Sequence, residues 1–354
     1  MAMRHYNNAP FVEAALEGAL AQTYTPLDIV FVDDCSTDGG YEIAERIIAG
    51  YRGPHRVVLS RNERNIGLGS QSSRILALSR GEIIVFADAD DISLPTRCQK
   101  IYEAFRDGGA EMLGVISHFD LIDAVGARIL GLPPKFNADR ADSSSWTAEM
   151  IARDAAGPSG AVAAFRRRVF EVGVPLDGLR QSDDSVCGLR CMVLGRLVTL
   201  HEVLVLRRAH LDNMSGSIRP NLTGTEFSAW LARYLRERVL VPAFMRRDLS
   251  MFEKRGLVSS ERAETLRGEI AVTARRLKMQ RIARRLPWWR AWLVYFGFRR
   301  LPTPFRQSVR LMLQAVAPSI AVMFVRRNRL NRLRMRTTVQ HTETRSKIDT
   351  NRLE

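Results

Sequence analysis

The sequence predicts an open α/β sheet, doubly wound, mixed but mostly parallel and flanked by helices, followed by a basic, mainly α-helical carboxyl-terminal region. Two observations carry this expectation. Apolar, β-branched runs of strand length alternate with segments of helical spacing, a pattern that makes successive strands parallel neighbours. Two of those runs, Leu27 to Val32 and Glu82 to Ala87, end in clustered carboxylates, Asp33-Asp34 and Asp88-Ala89-Asp90-Asp91. Ligands of such sheets bind outside the carboxyl ends of the strands, so two acidic ends describe one crevice.

The elements follow in order. Ala9 to Gln22 places Phe11, Ala15 and Ala19 at helical spacing and tolerates Gly18. Tyr41 to Tyr51 is a second helix, Val57 to Ser60 a strand, and Leu68 to Ser79 a third helix ahead of the Glu82 strand. A helix at Thr96 to Arg106 follows Pro95, which suits a first helical turn. Then come a strand at Leu113 to Asp120 and a hairpin-like return around Gly126 to Leu130. Asn137 to Gly157 has weak periodicity and contains Ser143-Ser144-Ser145, which predicts an irregular excursion. Gln181-Ser182-Asp183-Asp184 opens a helical run from Ser185 to Leu194 that Gly195 ends. Three helices are expected beyond Glu226: Phe227 to Leu240, Pro242 to Arg255 and Ser259 to Arg285.

Clustered carboxylates repel one another, and a divalent cation with a bound diphosphate compensates them. An acidic pair opening a helix, as at Asp183-Asp184, is equally served by the helix dipole. Charge is divided along the chain. The 354 residues carry 53 Lys and Arg against 38 Asp and Glu, a net charge of +15. Residues 1–224 hold 24 basic against 28 acidic side chains, and 225–354 hold 29 against 10, so the basic character belongs to the second part. No helix-turn-helix, zinc-finger spacing or aromatic strand platform accompanies it, so nucleic acid is not an expected partner. Cys35, Cys98, Cys187 and Cys191 lack metal-site spacing, and a reduced, cytosolic compartment is the simpler reading.

Five segments occur in a telling order: Tyr6-Asn7-Asn8-Ala9-Pro10-Phe11, Ala21-Gln22-Thr23-Tyr24, Val32 to Asp38, Asn65-Ile66-Gly67, and Asp88-Ala89-Asp90-Asp91 with Pro95. Over residues 1 to about 215 the chain resembles the family 2 glycosyltransferases, which have the GT-A fold. The resemblance implies an inverting transferase that moves a sugar from a nucleoside-diphosphate sugar, with UDP expected, to a glycan or lipid-linked acceptor in surface polysaccharide or glycoconjugate synthesis. It implies Mn2+ or Mg2+ held chiefly by Asp90, with Asp88 beside the ribose and the cation and Asp91 behind them. Asp34 is then expected to accept from the base, and Tyr6 and Asn65 to lie on the nucleotide side. Arg208 and His210 resemble an Arg and a His that face the diphosphate or the metal. Gly160 sits in a Gly157-Pro158-Ser159-Gly160 loop that resembles the one beneath the acceptor. Asp183-Asp184 resembles the acidic-pair motif, which makes Asp184 the expected base and puts Asp183 on the acceptor side; Asp183 stands where a Glu is commoner, and Arg190 fits the place of an Arg six residues on.

The amino terminus departs from this pattern. Only Met1 to His5 precedes Tyr6, where the resemblance implies a full central strand, so the true start is expected upstream and the first strand is expected to be truncated. The rival readings are a homologue that binds nucleotide sugar without turnover and, further off, a basic nucleic-acid-binding protein.

Residues 1–224 are therefore expected to form the catalytic domain, 225–336 a basic helical region that associates with membrane, and 337–354 a disordered tail. Trp288, Trp289, Trp292, Tyr295 and Phe296 flanked by Arg suit a membrane interface. Leu311 to Val325 is apolar but is interrupted by Pro318 and is shorter than the ~20 residues of a spanning helix. Six Arg between positions 326 and 336 suit an anionic lipid surface. Together these place the protein in the cytoplasm, peripheral on the inner face of the cell membrane.

Overall fold

The structure is a computed structural model that describes residues 1–129, 146–154, 157–210, 213 and 224–283. Within the amino-terminal half, β1 (Ala2–His5), α1 (Ala9–Leu20), β2 (Asp28–Asp33), α2 (Gly40–Gly50), β3 (Arg56–Arg61), α3 (Leu68–Leu78) and β4 (Ile83–Asp88) alternate as expected. After them come β5 (Ile92–Ser93), α4 (Arg97–Asp107), β6 (Met112–Ile122), α5 (Ala148–Asp154), β7 (Ala163–Arg166), α6 (Arg168–Glu171), α7 (Asp183–Leu194) and β8 (Arg196–Arg208). The helices α8 (Gly224–Arg238), α9 (Val241–Lys254) and α10 (Ser260–Ala283) complete the described chain.

The eight strands form one sheet in the order β3-β2-β1-β4-β7-β6-β8-β5. The half from β3 to β4 is parallel throughout, β7 runs antiparallel between β4 and β6, and β8 returns parallel to β6. Side chains alternate across a strand, and the sequence sorts accordingly. Val30, Val32, Ile84 and Phe86 join one core with Ile75, Ile151, Val186, Leu189, Phe244 and Leu249 from the helices on that face. Met3, Ile29, Phe31, Val85 and Ala87 join the other with Val12, Leu16, Ala44, Ile101 and Phe105. Both faces are covered, which is why these strands read as continuous apolar runs.

Met1 to His5, expected to be too few, do form β1: Ala2 pairs with Val30 on one side and with Phe86 on the other. Four residues suffice to seat the carboxyl end of the strand between β2 and β4, where the acidic tips lie. At the opposite end a cavity of about 230 Å3 remains, lined among others by Met1, Asp28, Ile83, Ile84 and Ile101. The Met1 amine is buried there and donates to the Asp28 carbonyl, and burial pushes its pKa down.

One expectation changes. The excursion read as irregular over Asn137 to Gly157 contains α5, whose Ile151 and Ala152 are buried together with Trp146. The compact units of the chain are residues 1–218 with 236–277, and residues 219–235 with 278–354. The first unit includes α9 because Phe244, Met245 and Leu249 fill the main core and Asp248 is ion-paired with Arg190. In the second unit the rings of Trp230 and Tyr234 stack at 5.1 Å. Among the described residues no helix is long and apolar enough to cross a membrane. The aromatic cluster at 288–296, the apolar run 311–325, the Arg-rich stretch and the expected disordered tail lie outside the described residues.

Candidate active site

The carboxyl ends of β1, β2 and β4 lie side by side because the three strands are parallel neighbours, and their tips carry the charge. At the β4 tip, one carboxylate oxygen from each of Asp88, Asp90 and Asp91 lies within 4.8 Å of the others. His210, just past β8, brings Nε2 to 3.0 Å from Asp90 Oδ2, and Asn213 Nδ2 donates to the same oxygen at 3.2 Å. The Asn213 side chain also accepts from the His210 amide. Asp91 is buried and accepts from the Arg208 amide at 2.8 Å, with Arg207 Nε at 3.5 Å. Burial and the neighbouring Asp90 push Asp91 up to about 8, the mark of carboxylates crowded without enough positive charge. Hard oxygen donors with one imidazole suit a divalent cation such as Mn2+ or Mg2+.

Arg208 was expected to face the diphosphate. Its Nε donates to the Asp90 carbonyl at 3.0 Å and its Nη1 to the carbonyls of Asp123 and Ala124, with the guanidinium 4.9 Å from the Phe11 ring centroid. It thereby holds the β4 tip against β8. Arg207, which the sequence reading did not select, lies buried beside Asp91 with the Phe119 ring beneath it.

At the β2 tip, Asp34 is 1% exposed and its carboxylate accepts four protein hydrogen bonds. Asn62 Nδ2 and the Ile66 amide reach Oδ1 at 3.0 and 2.8 Å, and the Gly67 amide and Gln71 Nε2 reach Oδ2 at 2.9 and 3.1 Å. Asp34 therefore shapes the Asn65-Ile66-Gly67 turn. Gly67 sits at φ +81°, and a Cβ there would come 2.8 Å from Arg180 Cα, so the turn requires glycine. Asn65 Oδ1 accepts from Arg180 Nη2. Tyr6, 47% exposed, stands at the open side of the same strand ends. The β1 and β2 loops are tied together by Asn7, whose amide donates to Ser36 Oγ and whose Oδ1 accepts from the Thr37 amide.

The third constellation is the start of α7. Asp184 Oδ2 accepts from the Gly160 amide at 2.9 Å, so the expected base meets the loop expected beneath the acceptor. Its Oδ1 accepts from the Ser185 amide at 2.7 Å. Burial, then the adjacent Asp183, push Asp184 up to about 6. Asp183 is 1% exposed and is held by Ser72 Oγ at 2.8 Å and Arg4 Nη1 at 3.0 Å. Arg4 in turn reaches Asp88 Oδ1 at 2.9 Å. Arg190, expected to follow the acidic pair, makes a bidentate pair with Asp248 at 2.7 and 3.0 Å and donates to the carbonyls of Val169 and Val174. It ties α7 to α9.

The comparisons with known proteins agree with this geometry. The family model described as Glycosyl transferase family 2 matches residues 2–173. An uncharacterised glycosyltransferase of Nostoc sp. is 28% identical over 222 residues, covering 59% of this chain and 64% of that protein. The succinoglycan biosynthesis protein ExoO of Rhizobium meliloti is 31% identical over 121 residues, covering 34% of this chain and 33% of that protein. The matches thus span less than two thirds of these relatives. Among solved structures, the mannosyltransferase PcManGT of Pyrobaculum calidifontis, in complex with GDP-Man and Mn2+, aligns with a TM-score of 0.52 at 20% identity, over 90% of this chain and 84% of that one.

The matched sequence and the sheet order are those of a glycosyltransferase domain of the GT-A class. Residues 2–173 of this chain belong to glycosyltransferase family 2.

Proposed function

We propose that this chain is an inverting glycosyltransferase. It moves a sugar from a nucleoside-diphosphate sugar, UDP-linked, to a hydroxyl of a glycan or lipid-linked acceptor in surface polysaccharide or glycoconjugate synthesis. The observation that carries the reading is the pairing of one base-like carboxylate, Asp184, with the Asp88-Asp90-Asp91 cluster at the carboxyl ends of neighbouring strands. The similarity to ExoO, a succinoglycan biosynthesis protein, supports a place in polysaccharide synthesis.

Asp88, Asp90 and His210 would hold Mn2+ or Mg2+, and a cation there neutralises the charge that develops on a departing diphosphate. The chain supplies the rest. The acceptor hydroxyl must lose its proton as it attacks, and a carboxylate near 6 is ionised at neutral pH yet basic enough to take it. The Gly160 and Ser185 amides hold Asp184 in one orientation while it does so. A single base with a departing diphosphate on the opposite face gives direct displacement and inversion. The Asp34-pinned turn and Tyr6 bound the nucleotide side. The basic second part, with Trp288, Trp289 and Trp292, keeps the enzyme on the inner face of the cell membrane.

Incubation with a panel of UDP- and GDP-sugars, Mn2+ and lipid-linked or oligosaccharide acceptors tests this, with the product's anomeric configuration read by NMR. A glycoside of inverted configuration is expected. Donor binding without transfer to any acceptor would favour the homologue that only binds nucleotide sugar, and a retained configuration would overturn the single-base mechanism.

A further inference from the structure

Arg4 is an unusual residue to find in a central strand. Ala2 and Met3 precede it in the core, parallel strands flank it on both sides, and its side chain is only 4% exposed. Taking a guanidinium out of water is expensive, and a buried ion pair often fails to offset that cost, so its place suggests a role other than stability.

Its partners come from both sides of the crevice. Nε and Nη2 donate to Asp88 Oδ1 at 3.3 and 2.9 Å, and Nη1 donates to Asp183 Oδ1 and Oδ2 at 3.3 and 3.0 Å. The Phe86 ring lies below, 4.5 Å from the guanidinium carbon. A Cβ on Gly160 would come 2.8 Å from Nη2, so the glycine whose amide orients Asp184 also leaves room for Arg4. Parity along β1 sends the Arg4 side chain to the face that carries α3 and α7, where Ser72 and Asp183 wait. Ser72 Oγ occupies Asp183 Oδ2 as well, so both oxygens of Asp183 are engaged.

We propose that Arg4 is a positioning residue of the transfer reaction. Its guanidinium, shared between Asp88 and Asp183, holds the donor-side and acceptor-side carboxylates in one arrangement and commits Asp183 as a fixed anion, leaving Asp184 as the proton acceptor. This rests on the glycosyltransferase reading given above. The planar fork of Arg spans two carboxylates, which the point charge of Lys cannot do. The Asp88 side chain keeps 32% exposure, so its second oxygen remains available to the donor. Asp184 is faced by Asp183 on its own helix, Arg4 from β1, Arg238 from α8 and the Gly160 amide, and burial is the largest influence on it.

The test uses the full chain as wild type, Arg4→Lys, Arg4→Met and the double variant Arg4→Met/Asp183→Asn. Titration of the aspartate carboxyl carbons by NMR reads the division of labour without needing turnover. The expected result is one carboxyl titrating near 6, assigned by its loss in Asp184→Asn. In Arg4→Met the Asp184 titration moves up, because one of its positive neighbours is gone. In Arg4→Lys it stays within a few tenths of a unit of wild type. Turnover gives the second arm: kcat falls at least 100-fold in Arg4→Met and at least 10-fold in Arg4→Lys, which keeps the charge but not the bridge. The double variant removes both buried charges and so remains folded where Arg4→Met fails. Its kcat stays at least 10-fold below wild type. An Asp184 titration unmoved in folded Arg4→Met, or a double variant with wild-type kcat, would each overturn the proposal. Absence of transfer by wild type alongside the expected titrations would instead count against the glycosyltransferase reading.

Discussion

The Gly160 amide donates to Asp184 Oδ2 at 2.9 Å across 24 residues of sequence, and this contact holds the expected base at the mouth of α7. A carboxylate in the first turn of a helix is ordinarily stabilised as an anion by the dipole. Burial and the adjacent Asp183 outweigh that here, and the group is pushed up to about 6.

Activity should follow that value. Neutral Asp184 cannot accept a proton, so kcat is expected to fall as pH drops through about 6. Asp184→Asn should lose roughly 10³-fold in kcat, within the range of a general base. The stability sign is opposite to that of a salt-bridged carboxylate. The folded value is raised, so between the ordinary carboxylate range and about 6 the unfolded chain releases a proton that the folded chain keeps, and stability falls as pH rises through that window. Asp184→Asn should therefore be at least as stable as wild type at pH 7.5. Thermal denaturation beside the pH-rate profile checks both; a variant that is inactive only because it is unfolded would contradict this.

The Arg190–Asp248 pair predicts a different outcome. Both side chains are essentially inaccessible, and the Val174 amide also donates to Asp248 Oδ1 at 2.7 Å. Removing one partner of such a pair costs about 3–5 kcal/mol. Asp248→Asn should lower Tm by roughly 10 °C while leaving KM for the donor within about twofold in the folded fraction. An unchanged Tm would show that the pair does not anchor α9.

Gly67→Ala places a Cβ against the Arg180 backbone at φ +81° and should disturb the turn that Asp34 holds. Calorimetry is expected to report UDP binding weakened about 10-fold, with binding of Mn2+ alone unchanged, because the cation cluster sits on another strand. Equal UDP affinity would remove this turn from the nucleotide site.

Membrane association is testable by cosedimentation with liposomes over a salt series. Replacing Trp288, Trp289 and Trp292 with Ala should weaken binding even at high salt, since apolar burial is not screened. Replacing Arg326, Arg327 and Arg329 should matter mainly on anionic vesicles at low salt. Wild-type protein that stays in the supernatant throughout would refute the anchor.

What the sequence disclosed depended on how local the chemistry is. The β2 and β4 tips are legible because each apolar strand and its carboxylates are contiguous, and parallel order alone brings them together. Arg190 was placed by its spacing from Asp184, but its tie to α9 was not legible, since its partner Asp248 lies 58 residues away. Arg4 was not legible as a linker, since its partners lie 84 and 179 residues further on; an Arg inside an apolar strand was the available signal. Asp34 read as a ligand residue, and its four protein donors come from a loop and helix that spacing cannot position. The helix α5 was hidden by the Ser-rich sequence before it, and β5, a two-residue strand, is too short for periodicity.

The measurement that bears most directly on the central claim is Mn2+- or Mg2+-dependent turnover of the UDP-sugar by wild type and by Asp90→Asn. Asp90 is the carboxylate on which His210 and Asn213 converge, so the account predicts turnover in wild type that chelation abolishes and cation restores, and a loss of at least 100-fold in the variant. Equal rates in the two proteins, or wild-type turnover indifferent to chelator, would contradict it.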